Sequence, residues 1–402
     1  MSRMTRSIAG AGAFVVSLDS LVNIALPAMA VGLGVAAGDV RWVIVCYVAT
    51  YALVSFAGGA LGDRLGHGRV FVIGTAVSAG AFVLAATASA YGWLLVARIV
   101  QGLGAGLVYG TSPALVTAAD GAGGRGHALG FLNGAISLAF TLGPPTAGHL
   151  VDLVGWRAVF WIRVPLALGL LAWAAVGLGR APRRRPVHAI SARDVLRGPV
   201  VGLGALAFLA NGAIFAVWYL TPFDLVERRG VSAHVGGAFL MLTPLGMTIG
   251  APIAGRLTDR VGPWPPMAAS LALEVGGLAA LAAWGAALGP AGLGLALFVA
   301  GLGFGVFQVP AMAAMMAKFP AGQQGAAGGL AFLARTLGIV TSVAVFGSVF
   351  VAVAARAGRD AALAAVYATA AAEVGVAALV SACAILAARW RRATGGSSSR
   401  SA

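Results

Sequence analysis

The amino-acid sequence predicts an all-α membrane protein with twelve transmembrane helices in two pseudo-symmetric six-helix bundles. Composition is the first reason. Of 402 residues, 60% are hydrophobic and 10% are charged, against roughly 25% charged in a soluble domain. Such a chain cannot cover its surface with polar groups, so lipid is its solvent. Length is the second reason: at roughly 20 residues per span plus short loops, the chain holds about twelve helices. The apolar runs are long and do not alternate, which argues against a β-barrel. The third reason is a duplication. Gly59-Ala60-Leu61-Gly62-Asp63-Arg64-Leu65-Gly66 returns half a chain later as Gly255-Arg256-Leu257-Thr258-Asp259-Arg260-Val261-Gly262. Each copy lies between two apolar segments and reads as a short charged loop. The same loop at the same place in both halves marks an internal repeat.

The net charge of +15 raises nucleic acid as a partner, and its distribution argues against it. Arg3, Arg6, Arg64, Arg69, Arg125, Arg180, Arg183, Arg184, Arg185, Arg193, Arg197, Arg256, Arg260, Lys318, Arg389, Arg391, Arg392 and Arg400 fall on one side. Arg41, Arg157, Arg228, Arg229, Arg356 and Arg359 fall on the other. This asymmetry places both termini in the cytoplasm and favours anionic headgroups of membrane lipid. Cys46 and Cys383 lie in different halves, so no disulfide framework is expected. Arg3, Arg6 and the apolar run after them imitate a signal peptide, but Asp19 and Asn23 interrupt that run, and a retained first helix is expected.

Taken in order, the first span covers residues 7–33 as one helix. Asp19 and Asn23 stand four apart in it and share a face. A lipid-facing Asp would cost roughly 2.5–3.5 kcal/mol, so that face points at protein or water. The second span, 40–61, carries Trp42 as an interfacial anchor and Tyr47. The third covers 70–89. The fourth, 93–119, contains Arg98, a second intramembrane charge, with Gly102 and Gly106 as a small-residue packing face. The fifth, 128–150, includes Asn133 and Gly134 and ends in Gly143-Pro144-Pro145-Thr146-Ala147-Gly148. Its prolines remove backbone donors, and its glycines permit a bend and close contact. The sixth follows Gly155-Trp156-Arg157 and carries Arg163, whose partner the sequence does not reveal.

A basic, proline-containing linker over 180–199 separates an N-terminal bundle (1–179) from a C-terminal bundle (200–390). A short surface helix fits residues 190–197. The second half then repeats the plan: 200–220 with Trp218, 235–254, the second Asp-Arg loop, and 266–288 with Glu274. Next come 292–317 with glycines at 301, 303 and 305 before Gln308 and Pro310, then 325–353 with Arg335, and 363–388 with Glu373. A Gly/Ser-rich tail, 391–402, is expected to be disordered.

These residues resemble the major facilitator superfamily over nearly the whole chain. Gly59 to Arg69 looks like its signature loop between the second and third helices. Arg98-x-x-Gln101-Gly102 is similar to its fourth-helix motif, and Gly134 to Gly148 resembles the fifth-helix antiporter motif of drug exporters, with Ala147 replacing one glycine. Leu18-Asp19 through Ala25-Leu26-Pro27, Trp156-Arg157-x-x-Phe160 and Arg335-x-x-Gly338 resemble the drug:proton antiporters usually built with fourteen spans. The extra central helix pair of that group is missing here, and Arg163 stands where an amide is common.

The resemblance implies a proton-coupled secondary transporter in a bacterial cytoplasmic membrane. It would export small lipophilic compounds such as drugs, antibiotics or secondary metabolites, as a monomer and without enzymatic activity, cofactor or metal. A metabolite importer or facilitator of the same fold is the rival reading, and a non-transporting membrane sensor or scaffold is a second. Gly59, Asp63, Arg64, Gly66, Arg69, Asp259 and Arg260 are expected to form a conformational latch, in which Asp63 accepts from a helix N-terminus or an arginine. The competing account is a loop that only sets topology. Asp19 and Arg98 are the candidates for proton coupling, against plain packing roles. Gly134, Gly143, Pro144 and Gly148 form the antiporter motif. Asn23, Tyr47, Asn133, Arg163, Trp218, Glu274, Gln308 and Arg335 are candidates to line the substrate cavity, against structural pairing, snorkelling or interfacial packing. No nucleotide-binding Gly-x-x-x-x-Gly-Lys run is present, so the energy would come from an ion or solute gradient.

Overall fold

The structure is a computed structural model that describes residues 2–36, 39–118, 124–178, 190–223, 225, 230, 233–284 and 287–395. In chain order its helices are α1 (Ser2–Ser17), α2 (Ser20–Leu33), α3 (Trp42–Leu65), α4 (His67–Ala86), α5 (Tyr91–Thr117), α6 (Arg125–Val154), α7 (Ala158–Trp161), α8 (Arg163–Leu178), α9 (Ala192–Val195), α10 (Gly198–Phe223), α11 (Ala233–Leu240), α12 (Leu242–Val261), α13 (Trp264–Trp284), α14 (Pro290–Met316), α15 (Gln324–Ala357) and α16 (Arg359–Gly395). Among the described residues, eleven segments are long and apolar enough to cross a membrane. The twelfth expected span is α6. It has 30 residues, but Asn133, His149 and the Pro144-Pro145 pair dilute its apolar character. It packs along α12 and against α1 and α2, in the place a span of the first bundle takes.

The first span is not the single helix expected from the sequence. It breaks at Leu18-Asp19, where Ser17, Asp19 and Ser20 crowd into four positions. Short polar side chains of this kind compete with the helical backbone for hydrogen bonds. Asp19 therefore turns inward while Asn23 is exposed on α2, and the two do not share one buried face. The sixth span breaks similarly between α7 and α8, and the eighth between α11 and α12.

Within the first half α5 packs on α3 and α4; within the second, α14 packs on α12 and α13. Small residues make these contacts close. A Cβ on Gly301 would overlap the Thr243 carbonyl, and one on Gly303 would lie 2.7 Å from the Ser270 carbonyl oxygen. The halves meet along two helix pairs, α3 with α15 and α6 with α12. The closing glycines of the repeated loops, Gly66 (φ +98) and Gly262 (φ +80), occupy the left-handed region that ends α3 and α12; a side chain is strained there.

The linker arginines 180, 183, 184 and 185, the loop arginines 228 and 229, and residues 396–402 of the tail lie outside the described residues. Of the linker, α9 is described. Its Ser191–Asp194 capping box is complete, and the Ser191 backbone N–H is the largest cause holding the Asp194 carboxylate below the ordinary range. The last helix continues to Gly395, past position 391 where the tail was expected to begin.

Candidate functional site

The break in the first span builds a charge cluster inside the first bundle. Arg98 on α5 grips Asp19 with both terminal nitrogens, Nη1 to Oδ1 at 2.5 Å and Nη2 to Oδ2 at 2.7 Å. Arg163, at the start of α8, reaches the same Oδ1 at 3.0 Å. Gln101, one turn beyond Arg98, donates Nε2 to Oδ1 at 2.8 Å and accepts from Arg98 at 2.7 Å. Both guanidiniums are fully buried. Arg98 also donates Nε to the Val43 carbonyl and lies 4.3 Å over the Tyr47 ring; Arg163 lies 4.0 Å over Phe82. The helix break itself takes part: the Val16 carbonyl accepts from Tyr47 Oη and from Arg163 Nη2, both at 3.3 Å. Two guanidiniums on one carboxylate leave the cluster net positive.

From this cluster a row of rings crosses to the second half. Tyr47 and Tyr51 are 5.0 Å apart between centroids, Tyr51 and Tyr109 5.4 Å, and Tyr109 and Phe332 of α15 5.0 Å. Arg335, one turn beyond Phe332, donates Nη1 to Gln308 Oε1 at 2.6 Å. Arg335, Gln308 and Asn211 line one small cavity between α10, α14 and α15.

The two repeated loops sit at one end of the molecule, because successive spans alternate in direction and α6 and α15 both start where α5 and α14 end. There each aspartate crosses to the opposite half. Asp63 accepts from the backbone N–H of Gly325 at 3.0 Å and Ala326 at 2.8 Å, at the start of α15. Asp259 accepts from Gly126 and His127 at 2.7 Å each, at the start of α6. Unpaired amides and the helix dipole make a helix N-terminus a natural seat for a carboxylate. Of the two partners expected for Asp63, the helix N-terminus is the one found, joined by His67 at 3.2 Å. Arg64, Arg69 and Arg260 are exposed. A Cβ on Gly59 would overlap the Gly325 carbonyl, so this glycine lets α3 and α15 touch.

The remaining candidates are scattered. Gly143 packs on Ser20, where a Cβ would overlap its Oγ, and Gly134 faces Pro252 at ordinary contact distance. Gly148 faces open space, and Pro144 lies within α6. Asn133 is buried and donates to the Leu129 carbonyl. Trp218 packs edge-on against Phe140, across the two halves, at 5.6 Å. Glu274 is fully buried in α13, with no hydrogen-bond partner for either carboxylate oxygen. Gln101, Tyr51, Tyr109, Asn211 and His67 were not singled out as site residues. Spacing could have found two of them: Arg98 with Gln101 and Tyr47 with Tyr51 stand three and four apart on one helix face.

Two six-helix bundles joined by paired loops, with buried charge between spans, define a membrane transporter. The chain belongs to the Major Facilitator Superfamily, whose family model matches residues 8–343. It is 35% identical over 206 residues to the "Methylenomycin A resistance protein" of Bacillus subtilis, a match that takes in 50% of this chain and 43% of that one. It is 28% identical over 403 residues to the "Tetracenomycin C resistance and export protein" of Streptomyces glaucescens, covering 84% of this chain and 73% of the relative. Among solved structures it superposes on the proton:xylose symporter XylE with a TM-score of 0.73 at 16% identity, over 94% of each chain. That likeness is one of fold alone, and fold does not assign cargo.

Proposed function

We propose that the protein exports small lipophilic compounds from the cytoplasm in exchange for protons. It would work as a monomer in a bacterial cytoplasmic membrane with both termini inside. The observation that carries this reading is Asp19, an acid held inside the first bundle by Arg98, Arg163 and Gln101. A proton on Asp19 removes the counter-charge of two buried guanidiniums. Protonation therefore repels the cluster open, and deprotonation pulls α1, α5 and α8 together. Export is supported by relatives named for antibiotic resistance and export.

In this scheme Asp63 and Asp259 latch the cytoplasmic end, and the described conformation faces outward. The two bundles rock about the Tyr51–Tyr109–Phe332 contact. A proton entering down the membrane potential contributes roughly 2.3 kcal/mol per 100 mV, enough for about a fortyfold gradient of a neutral solute.

The test is dye efflux in everted vesicles, with Asp19→Asn and Arg98→Ala variants. Transport should fall at least tenfold in both and stop in the wild type when a protonophore is added. Unchanged proton-driven efflux in both variants would remove the assignment.

A further inference from the structure

The second half holds a cation, Arg335, for which the described residues supply no counter-charge. Arg335 has Gln308 as its hydrogen-bond partner and the Phe332 ring at 5.8 Å. Among the described residues no carboxylate stands within ion-pair distance of it. The helix it faces, α14, carries no ionisable residue. Elsewhere in the interior, Asp19 is already shared by two arginines. The fully buried Glu274 of α13 pairs with none of Arg98, Arg163 and Arg335, so these three have one partnered carboxylate among them, Asp19. An interior cation is costly unless something pairs with it, and this surplus of positive charge favours an anion.

The surroundings of Arg335 are shaped for one. It opens, with Gln308 and Asn211, into a cavity of about 20 Å³ that Phe307, Met312 and Met315 also line. That volume suits a group of about the size of one water. Asn211 is 1% exposed, and its Oδ1 has no hydrogen-bond partner, so an acceptor is left waiting for a donor in the same cavity. Methionines adapt their shape to what enters. The ring row of Phe332, Tyr109 and Tyr51 begins beside Arg335, 5.8 Å from its guanidinium, and leads back toward the first bundle.

We infer that Arg335, Gln308 and Asn211 form the headgroup subsite of the transport path, and that the preferred cargo is an aromatic organic anion, a carboxylate or phenolate. Arg335 pairs with the anionic oxygen, Asn211 accepts from a cargo hydroxyl or a bridging water, and the aromatic body lies along the ring stripe. This rests on the transport function proposed above and names its substrate class.

The experiment is titration calorimetry on the full-length protein in lipid nanodiscs, with 2-naphthoate and its neutral isostere 2-naphthamide. Wild-type protein should bind the naphthoate at least tenfold more tightly. Arg335→Gln should erase that preference while leaving naphthamide binding within about twofold, and Arg335→Lys should retain part of it. Equal binding of the two probes by the wild type overturns the inference without any variant. So does a preference that survives Arg335→Gln, or an equal loss of both probes in that variant, which marks a structural role.

Vesicle transport separates this result from the function it rests on. Arg335-dependent naphthoate binding in a protein that moves no probe under a proton gradient sinks the export reading and leaves the subsite. Proton-driven movement of naphthamide with no naphthoate preference does the reverse.

Discussion

Asp19 is answered by two guanidiniums rather than one, and that excess sets the behaviour of the residues around it. Removing one member of a buried pair strands the others, at a cost of about 3–5 kcal/mol, so the cluster couples structure to charge strongly. Glu274 is the opposite case. It is a buried acid with neither oxygen satisfied, and an unsatisfied buried polar group costs about 1–3 kcal/mol. Glu274→Leu, similar in volume and apolar, is therefore expected to stabilise the protein by about that amount, seen as a higher midpoint in tryptophan-monitored thermal unfolding. A lower midpoint would mean that Glu274 has a partner that this conformation does not reveal. The arginines of the repeated loops are different again. They are exposed, a placement that agrees with topology and headgroup attraction and does not test their expected part in the latch.

At the scale of elements, the halves are fastened by two helix starts that each receive a carboxylate from the opposite bundle. The arrangement repeats because the loop repeats: Asp63 on α15 and Asp259 on α6 make the same contact in mirror roles. A carboxylate seated on an N-terminus contributes about 1 kcal/mol, more where it is partly buried. Asp63→Asn or Asp259→Asn alone should shift the balance toward the alternate state modestly. The double variant should shift it by about 2–4 kcal/mol, which is roughly 30- to 1000-fold in population. Spin-label distances between the loop ends of α3 and α15 check this, and an unchanged distance distribution in the double variant counts against the latch. The glycine at 59 acts through the same seam, since any side chain there separates α3 from α15.

For the whole molecule, alternation of the spans puts both repeated loops and the linker helix on one side, and the α15–α16 turn on the other. The proposed orientation makes the first side cytoplasmic. With Cys46 and Cys383 replaced by alanine, a membrane-impermeant maleimide should label Ser191→Cys only in everted vesicles and Arg359→Cys only in right-side-out cells. Reversed labelling would invert the direction of transport argued above. The unequal burial of charge also has a global reading. Arg98, Arg163 and Arg335 are buried or partly buried guanidiniums near the ring row, so the proposed path would discriminate by charge before any pocket discriminates by shape.

The sequence alone determined the solvent, the span count and the duplication, because these depend on composition and on local order along the chain. It also named Asp19, Arg98, Asp63 and Asp259, since intramembrane charges and a repeated acidic loop stand out against an apolar background. Only the tertiary structure decided what each charge meets. Arg163 found Asp19, 144 residues away along the chain, Asp63 found backbone amides that no side-chain pattern encodes, and Arg335 found no carboxylate among the described residues. Pairing across helices is fixed by how twelve similar apolar cylinders pack. A sequence built from such interchangeable faces records which residues are polar, but not which of them come within 3 Å.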